Sequence, residues 1–208
     1  MLSIRSLLLG AALAGASFAS SANLITNGNF NDFTGVSQPG SWGIFTAING
    51  WTTVSGPGIE VGKFNNYVSS RAPGQSDDWV VELDSRGNST MAQSFTVVNA
   101  GYHDLSFWYA PRTNTANDNI ISVELLPSYA DLVSFNATRG NQNGWVQFNQ
   151  RLWLDGQNYT LTFAAGGLSN SLGGLIDGVS LTHVVPVPAT VGLLGLALLA
   201  FGISRRRS

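Results

Sequence analysis

Two kinds of side chain in this 208-residue sequence have chemistry to offer beyond packing: tryptophans and carboxylates. Six tryptophans are more than one small core requires. Trp108 alternates with the apolar set Leu105, Phe107 and Tyr109, which puts it on the same strand face as Ser106 and Asp104. A flat ring beside hydrogen-bonding groups matches the C–H face and hydroxyl rim of a sugar. Trp42, Tyr67, Trp79, Arg112 and Trp153 complete the sugar-contact candidates, whereas Trp51 and Trp145 read as filling the core or lying under loops. Glu60, Glu82, Asp84 and Glu124 could furnish a glycosidase carboxylate pair. None of them stands in a catalytic context, and Gly-x-Ser-x-Gly, His-Glu-x-x-His and Gly-rich phosphate loops are missing. Glu82 alternates with Val81 and Leu83, so it is expected on a wet face or beside an arginine. His103 and His183 follow turn or terminal positions and read as solvated or locally bonded. The chemistry expected is therefore binding, not turnover.

The two ends of the chain are addresses. Met1 to Ala22 has Arg5, an apolar run from Leu7 to Gly15 and small residues before a cut near Ser20-Ser21-Ala22, the pattern of a secretory signal peptide. At the other end, Pro186 and Pro188 lead into a small-and-apolar segment that stops at Arg205, Arg206 and Arg207. A helix over about residues 189–204 is a membrane span of minimum length. The arginine cluster favours the cytoplasmic side, which leaves the body outside. Pro-x-Pro-Ala-Thr, a Leu/Gly/Ala helix and a terminal arginine cluster resemble the PEP-CTERM sorting signal of Gram-negative envelope proteins. That resemblance implies handling by an exosortase, a membrane protease-transpeptidase, in cells that make extracellular polysaccharide. The glutamate usual between the prolines is replaced by Val187.

Between residues 22 and 185 lies one domain's worth of chain, residues 23–184, long enough for a sizeable core. It carries six basic against twelve acidic residues, a net of −6, which argues against nucleic acid and anionic membrane surfaces as partners. Without cysteine, stability comes from packing, with a bound ion as the one available supplement.

The elements that must position the candidates are strands. Period-two alternation recurs in 104–109, 121–125, 159–163 and 179–182, and further strands are expected at 24–26, 51–54, 59–61, 79–83, 93–98 and 146–153. Turn-rich pieces such as Ser55-Gly56-Pro57-Gly58 and Asp155-Gly156 separate them. Short strands without a helical stretch predict an all-β, two-sheet sandwich of jelly-roll type.

Asn23-Leu24-Ile25-Thr26-Asn27-Gly28-Asn29-Phe30, Gly50-Trp51-Thr52, Val81 to Ser85, Gln93 to Thr96, Leu105 to Arg112 and Gly173 to Leu181 fall in an order similar to galactose-binding-like jelly rolls, many of them secreted carbohydrate-binding modules. The resemblance implies a structural Ca²⁺ held by a residue after the first Asn-Gly-x-Phe, here Asn31 or Asp32, and by Asp177 opening the last strand. The whole sequence then reads as an exported envelope or matrix protein that binds or scaffolds extracellular polysaccharide. A matrix component that contacts other proteins and a glycoside hydrolase are the alternatives.

Overall fold

Alternation gives each strand a dry and a wet face, and two antiparallel sheets close their dry faces on each other. The computed structural model describes residues 21–139 and 144–185. The strands are β1 (Trp42–Phe45), β2 (Ala47–Ile48), β3 (Trp51–Ser55), β4 (Ile59–Lys63), β5 (Trp79–Glu82), β6 (Thr90–Thr96), β7 (Gly101–Ala110), β8 (Ile120–Leu126), β9 (Tyr129–Phe135), β10 (Val146–Leu154), β11 (Asn158–Gly166) and β12 (Leu175–His183). Sheet A runs β1-β4-β5-β12-β7-β10 and sheet B runs β2-β3-β6-β11-β8-β9. The described residues hold no α-helix, only the 3-10 turns Phe64–Asn66 and Ala116–Asp118. Ala22–Val184 form a compact unit. The anchor helix expected over about 189–204 and the sorting residues Pro186, Val187, Pro188 and Arg205 to Arg207 lie outside the described residues, as does most of the signal peptide. Among the described residues no helix is long and apolar enough to cross a membrane.

The core is aromatic. Phe163 meets Phe107 edge-on at 5.1 Å and Trp51 at 5.8 Å, while Phe107 stacks on Phe148 at 4.8 Å and Tyr109 on Phe135 at 4.5 Å. The Asn-Gly-Asn-Phe opening is not the strand expected at 24–26. It makes a single antiparallel bridge, Asn23 to Thr182, and then turns. Asn27 and Phe30 have φ of 52° and 56°, and a side chain on Gly28 would collide with the Val179 carbonyl, so this turn delivers Phe30 into the core against Trp51. β1, β2 and β9 were not expected from the alternation.

Sheet A has an outer face of two unlike halves. Residues 64–78 form a strap over β4, β5 and β12, where Tyr67, Val80, Ala110 and Leu175 make a second small apolar cluster with Phe64, Val68 and Trp145. Tyr67 is central to how the strap seats: the hydroxyl end of its ring lies over Gly62, and the hydroxyl donates to Glu60 Oε1 at 2.7 Å. Any Cβ at Gly62 would collide with that hydroxyl. Gly62→Ala is therefore expected to lift the ring and lower stability by about 1–3 kcal/mol, the range for overpacking a closed site. Urea unfolding checks this, and a variant as stable as the parent would show that the strap does not depend on this contact.

Candidate functional site

The uncovered half of sheet A, on β7 and β10, carries the most distinctive surface. Antiparallel register places Trp153 opposite Tyr102, Arg151 opposite Asp104, Asn149 opposite Ser106 and Gln147 opposite Trp108, all with side chains on the outer face. Trp153 and Tyr102 are 50% and 53% exposed and meet edge-on, ring centroids 5.1 Å apart. Next to them Arg151 donates both Nε and Nη2 to the Asp104 carboxylate at 2.7 and 2.8 Å. That fork lowers the Asp104 pKa and raises that of Arg151, so the pair stays ionised and mutually neutralised. The Trp153 indole donates to Asp155 Oδ1 at 3.1 Å, and Tyr129 of β9 clamps the backbone of Trp153 with hydrogen bonds of 2.9 and 3.1 Å. The aromatic pair is thus exposed yet held, which suits a preformed contact with a ligand's apolar face.

The covered half holds carboxylates. Glu60 and Glu82 are register partners on β4 and β5, both buried beneath the strap, and Glu82 is fully so. Glu82 Oε1 accepts from the Asp84 N–H at 2.8 Å, whereas Oε2 is buried without a hydrogen-bond partner and lies 3.8 Å from Arg112 Nη1. Arg112 rests on the Tyr67 ring at 4.9 Å and donates to the Ser171 carbonyl at 3.0 Å. Burial, with the charge of Glu60 behind it, pushes the Glu82 carboxyl up to about 7 despite the Asp84 N–H and Arg112. Burial first, then Glu60, likewise raises the Tyr67 phenol. Of the two settings expected for Glu82, the structure shows the one beside an arginine, Arg112, and not the wet face: its strand face points outward, but the strap seals it.

A second carboxylate pair lies at the start of β12. Asp177 is buried, accepts from the Gly178 N–H at 2.6 Å, and is pushed up to about 8 by burial and then by the charge of Asp77. Asp77, raised chiefly by its own burial, accepts from Asn29 and Asn31 Nδ2 at 3.1 and 3.3 Å. Asn31 thus joins this locus through Asp77. Asp32 does not: Thr34 N–H at 2.9 Å and Asn49 Nδ2 at 2.6 Å occupy its carboxylate, which bridges two loops and whose pKa these bonds lower. Among the described residues no three His, Cys, Asp or Glu side chains converge.

The sugar-contact candidates divide accordingly. Trp153 and Trp108 share the open face. Trp42 is 53% exposed but sits on β1, the opposite edge of sheet A, about 24 Å away at ~4.8 Å per strand. Trp79 and Tyr67 are corrections. Trp79 points inward and meets Phe33 edge-on at 5.0 Å, and Tyr67 is pinned under the strap, so neither offers an open ring face. Arg112 is tied to Tyr67, Ser171 and Glu82 and braces the strap. Trp145, expected in the core or under a loop, packs against the strap's small apolar cluster and lines a cleft of about 160 Å³ with Ser69, Ser70 and Arg139, its indole donating to the Ser70 carbonyl at 2.9 Å. His103 is buried and locally bonded to the Gly101 carbonyl at 3.0 Å. Tyr102, Arg151 and Asp77 were missed. The alternation of Tyr102 with Asp104 and of Arg151 with Trp153 carried the first two, but Asp77 lies in a loop without period.

The architecture, a two-sheet antiparallel jelly-roll sandwich, is similar to that of solved carbohydrate-binding modules. TmCBM61, solved in complex with β-1,4-galactotriose, is 16% identical, aligned over 79% of this chain and 100% of its own, with a TM-score of 0.50. A family 35 carbohydrate-binding module from Paenibacillus barcinonensis is 16% identical over 70% of this chain and 100% of its own, with a TM-score of 0.41. At such identities the likeness is one of fold. Residues 184–207 match the PEP-CTERM protein-sorting motif, the mark of an exported protein. No curated protein sequence matches the chain.

The sealed Glu82 has a measurable consequence. A carboxyl raised from 4.5 to about 7 in the fold contributes stability that is full below about pH 4.5 and is lost as pH rises through about 7. Glu82→Gln should therefore gain stability on the parent between about pH 5 and pH 8, by roughly 2–3 kcal/mol. Denaturant titrations of both proteins at the two pH values measure it, and a constant difference between them would mean that Glu82 keeps an ordinary pKa.

Proposed function

We propose that this chain is a non-catalytic glycan-binding protein of the cell envelope or extracellular matrix, and that the sugar contacts the open face of β7 and β10. The observation that carries this reading is the exposed, clamped Trp153–Tyr102 pair beside the self-neutralised Arg151–Asp104 fork. Large exposed aromatics on a sheet face are unfavourable in water unless something covers them, and a sugar's C–H face suits them. The fold's likeness to a module solved with a galactotriose supports the ligand class. Burial of Glu60 and Glu82 under the strap favours binding without turnover, because a glycosidic bond has no route to them.

The sorting motif supports the route: export through a signal peptide across the inner membrane of a Gram-negative cell, transient anchoring by the helix of about 189–204, and processing by an exosortase. With extracellular polysaccharide as the partner, the exported body would bind or scaffold the matrix.

Calcium is the proposed cofactor, at Asp177 and Asp77. The donor set fits a hard cation. The two carboxylates repel each other, among the described residues no cationic side chain is bonded to either, and the Asn29 and Asn31 amides, whose O and N can exchange by rotation, already converge on Asp77. Bound Ca²⁺ would neutralise this pair and tie the strap to β12.

Two measurements test the proposal. In affinity electrophoresis through polysaccharide-containing gels, Trp153→Ala and Tyr102→Ala should each weaken retention about tenfold or more, while Trp42→Ala leaves it unchanged. Retention lost equally in all three, or in none, removes the open face from the site. Millimolar Ca²⁺ should raise the melting temperature of the parent but not of Asp177→Asn. Equal shifts in both proteins would place any calcium elsewhere.

A further inference from the structure

The open face is longer than the aromatic pair. Along β10 the residues Gln147, Asn149, Arg151 and Trp153 recur at period two and are exposed, because Phe148, Leu152 and Leu154 pack toward the core, and Trp145 stands in the same register just before the strand, half-buried against the strap's apolar cluster on the outer face. Tryptophans stand at both ends of this stripe, about 27 Å apart at roughly 3.4 Å per residue. Between them the surface is polar and without net charge. Gln147 and Asn149 are exposed, Ser106 and Trp108 sit opposite on β7, and the only ions, Arg151 and Asp104, are bonded to each other. The strap that covers β4, β5 and β12 ends at this stripe, where Trp145 lines the cleft beside Ser70.

We propose that this stripe is one linear track, and that its ligand class is an extended, unbranched polysaccharide long enough to touch Trp145 and Trp153 at once. This deepens the glycan-binding reading and rests on it. A flat sheet presents its side chains in a straight row, which suits a ribbon-like β-linked chain whose apolar sugar faces recur along its length. Trp153 offers an exposed ring and Trp145 the part of its ring that lines the cleft, and the amides between them can exchange hydrogen bonds with ring hydroxyls. Because the two anchors share one rigid strand, a ligand that reaches both gains from linkage, whereas a short sugar meets one anchor at a time. With no net charge on the track, binding should change little between low and moderate salt.

The test uses the full chain in detergent micelles and a ladder of β-1,4-gluco-oligosaccharides of increasing length with hydroxyethyl cellulose as the polymer, and a matching β-1,4-galactan series, titrated by calorimetry. Affinity should rise by about tenfold or more between oligomers too short to bridge the two tryptophans and those that bridge them, then level off. Trp145→Ala and Trp153→Ala should each bring the polymer down to short-oligomer affinity. Because Trp145 also packs under the strap, the exposed double variant Gln147→Ala/Asn149→Ala provides an independent arm, weakening polymer but not short oligomers. If affinity levels off at the shortest oligomers and only Trp153→Ala and Tyr102→Ala matter, the track is overturned while the glycan-binding reading stands. If neither series binds at any length, with hydroxyethyl cellulose and β-1,4-galactan polymer also silent, both fall.

Discussion

The seat of Tyr67 on Gly62 divides this protein into a part that is closed and a part that is open. A sandwich needs only its inner faces covered, and here the inner faces already have an aromatic core. The strap is an addition, and its consequence is electrostatic. At 3.8 Å from Arg112 an ionised Glu82 would gain roughly 4 kcal/mol at an effective dielectric near 20. Its carboxyl nevertheless rises to about 7, so desolvation and the neighbouring Glu60 together outweigh the guanidinium. Holding a proton is the least costly state for a carboxyl sealed with one oxygen unpartnered. Arg112 thus braces the strap through Tyr67 and the Ser171 carbonyl more than it serves as a counter-ion.

The same logic separates the two carboxylate pairs. Glu60 and Glu82 have a hydroxyl, a backbone N–H and a nearby guanidinium to share, and the pocket is closed further by Gly173, where any side chain would strike Glu82. Asp77 and Asp177 have only amide N–H donors, and both carboxyls are raised. The first pair thus has partners that offset its charge, whereas the second has only neutral donors. The loop Asp32, adjacent in sequence to Asn31, faces away to Asn49, whereas Asn31 bonds to Asp77, a separation that a linear motif does not carry.

How far the fold could be read follows from burial on one face. β7, β8, β11 and the end of β12 have an inner face against the core and an outer polar face, so their alternation is strict and legible. The strands that escaped notice, β1, β2 and β9, are edges or near-edges whose residues are mostly half-buried. With no fully dry side they carry no clean period. β10 is also an edge, yet it was legible, because its outward residues form the stripe from Gln147 to Trp153. Among the ligand candidates, Trp108 and Trp153 were readable by register alone. Trp79 and Tyr67 were not, since which way a strand's first residue turns, and whether a loop folds back over a sheet, are decided by contacts distant in sequence.

The open face has a direction. β12 ends at His183, paired with His103, and the next residue, Val184, donates its N–H to the Tyr102 carbonyl at 2.7 Å. The chain therefore leaves the sandwich beside the Trp153–Tyr102 end of the stripe, and the Trp145 cleft lies at the far end of the same strand pair. Any polymer on the track would have one end of its bound stretch near the point where the sorting tail begins. A groove formed by loops at one pole of the sandwich would have no such relation to the tail. A side-face track, by contrast, would begin beside the residue from which the tail departs.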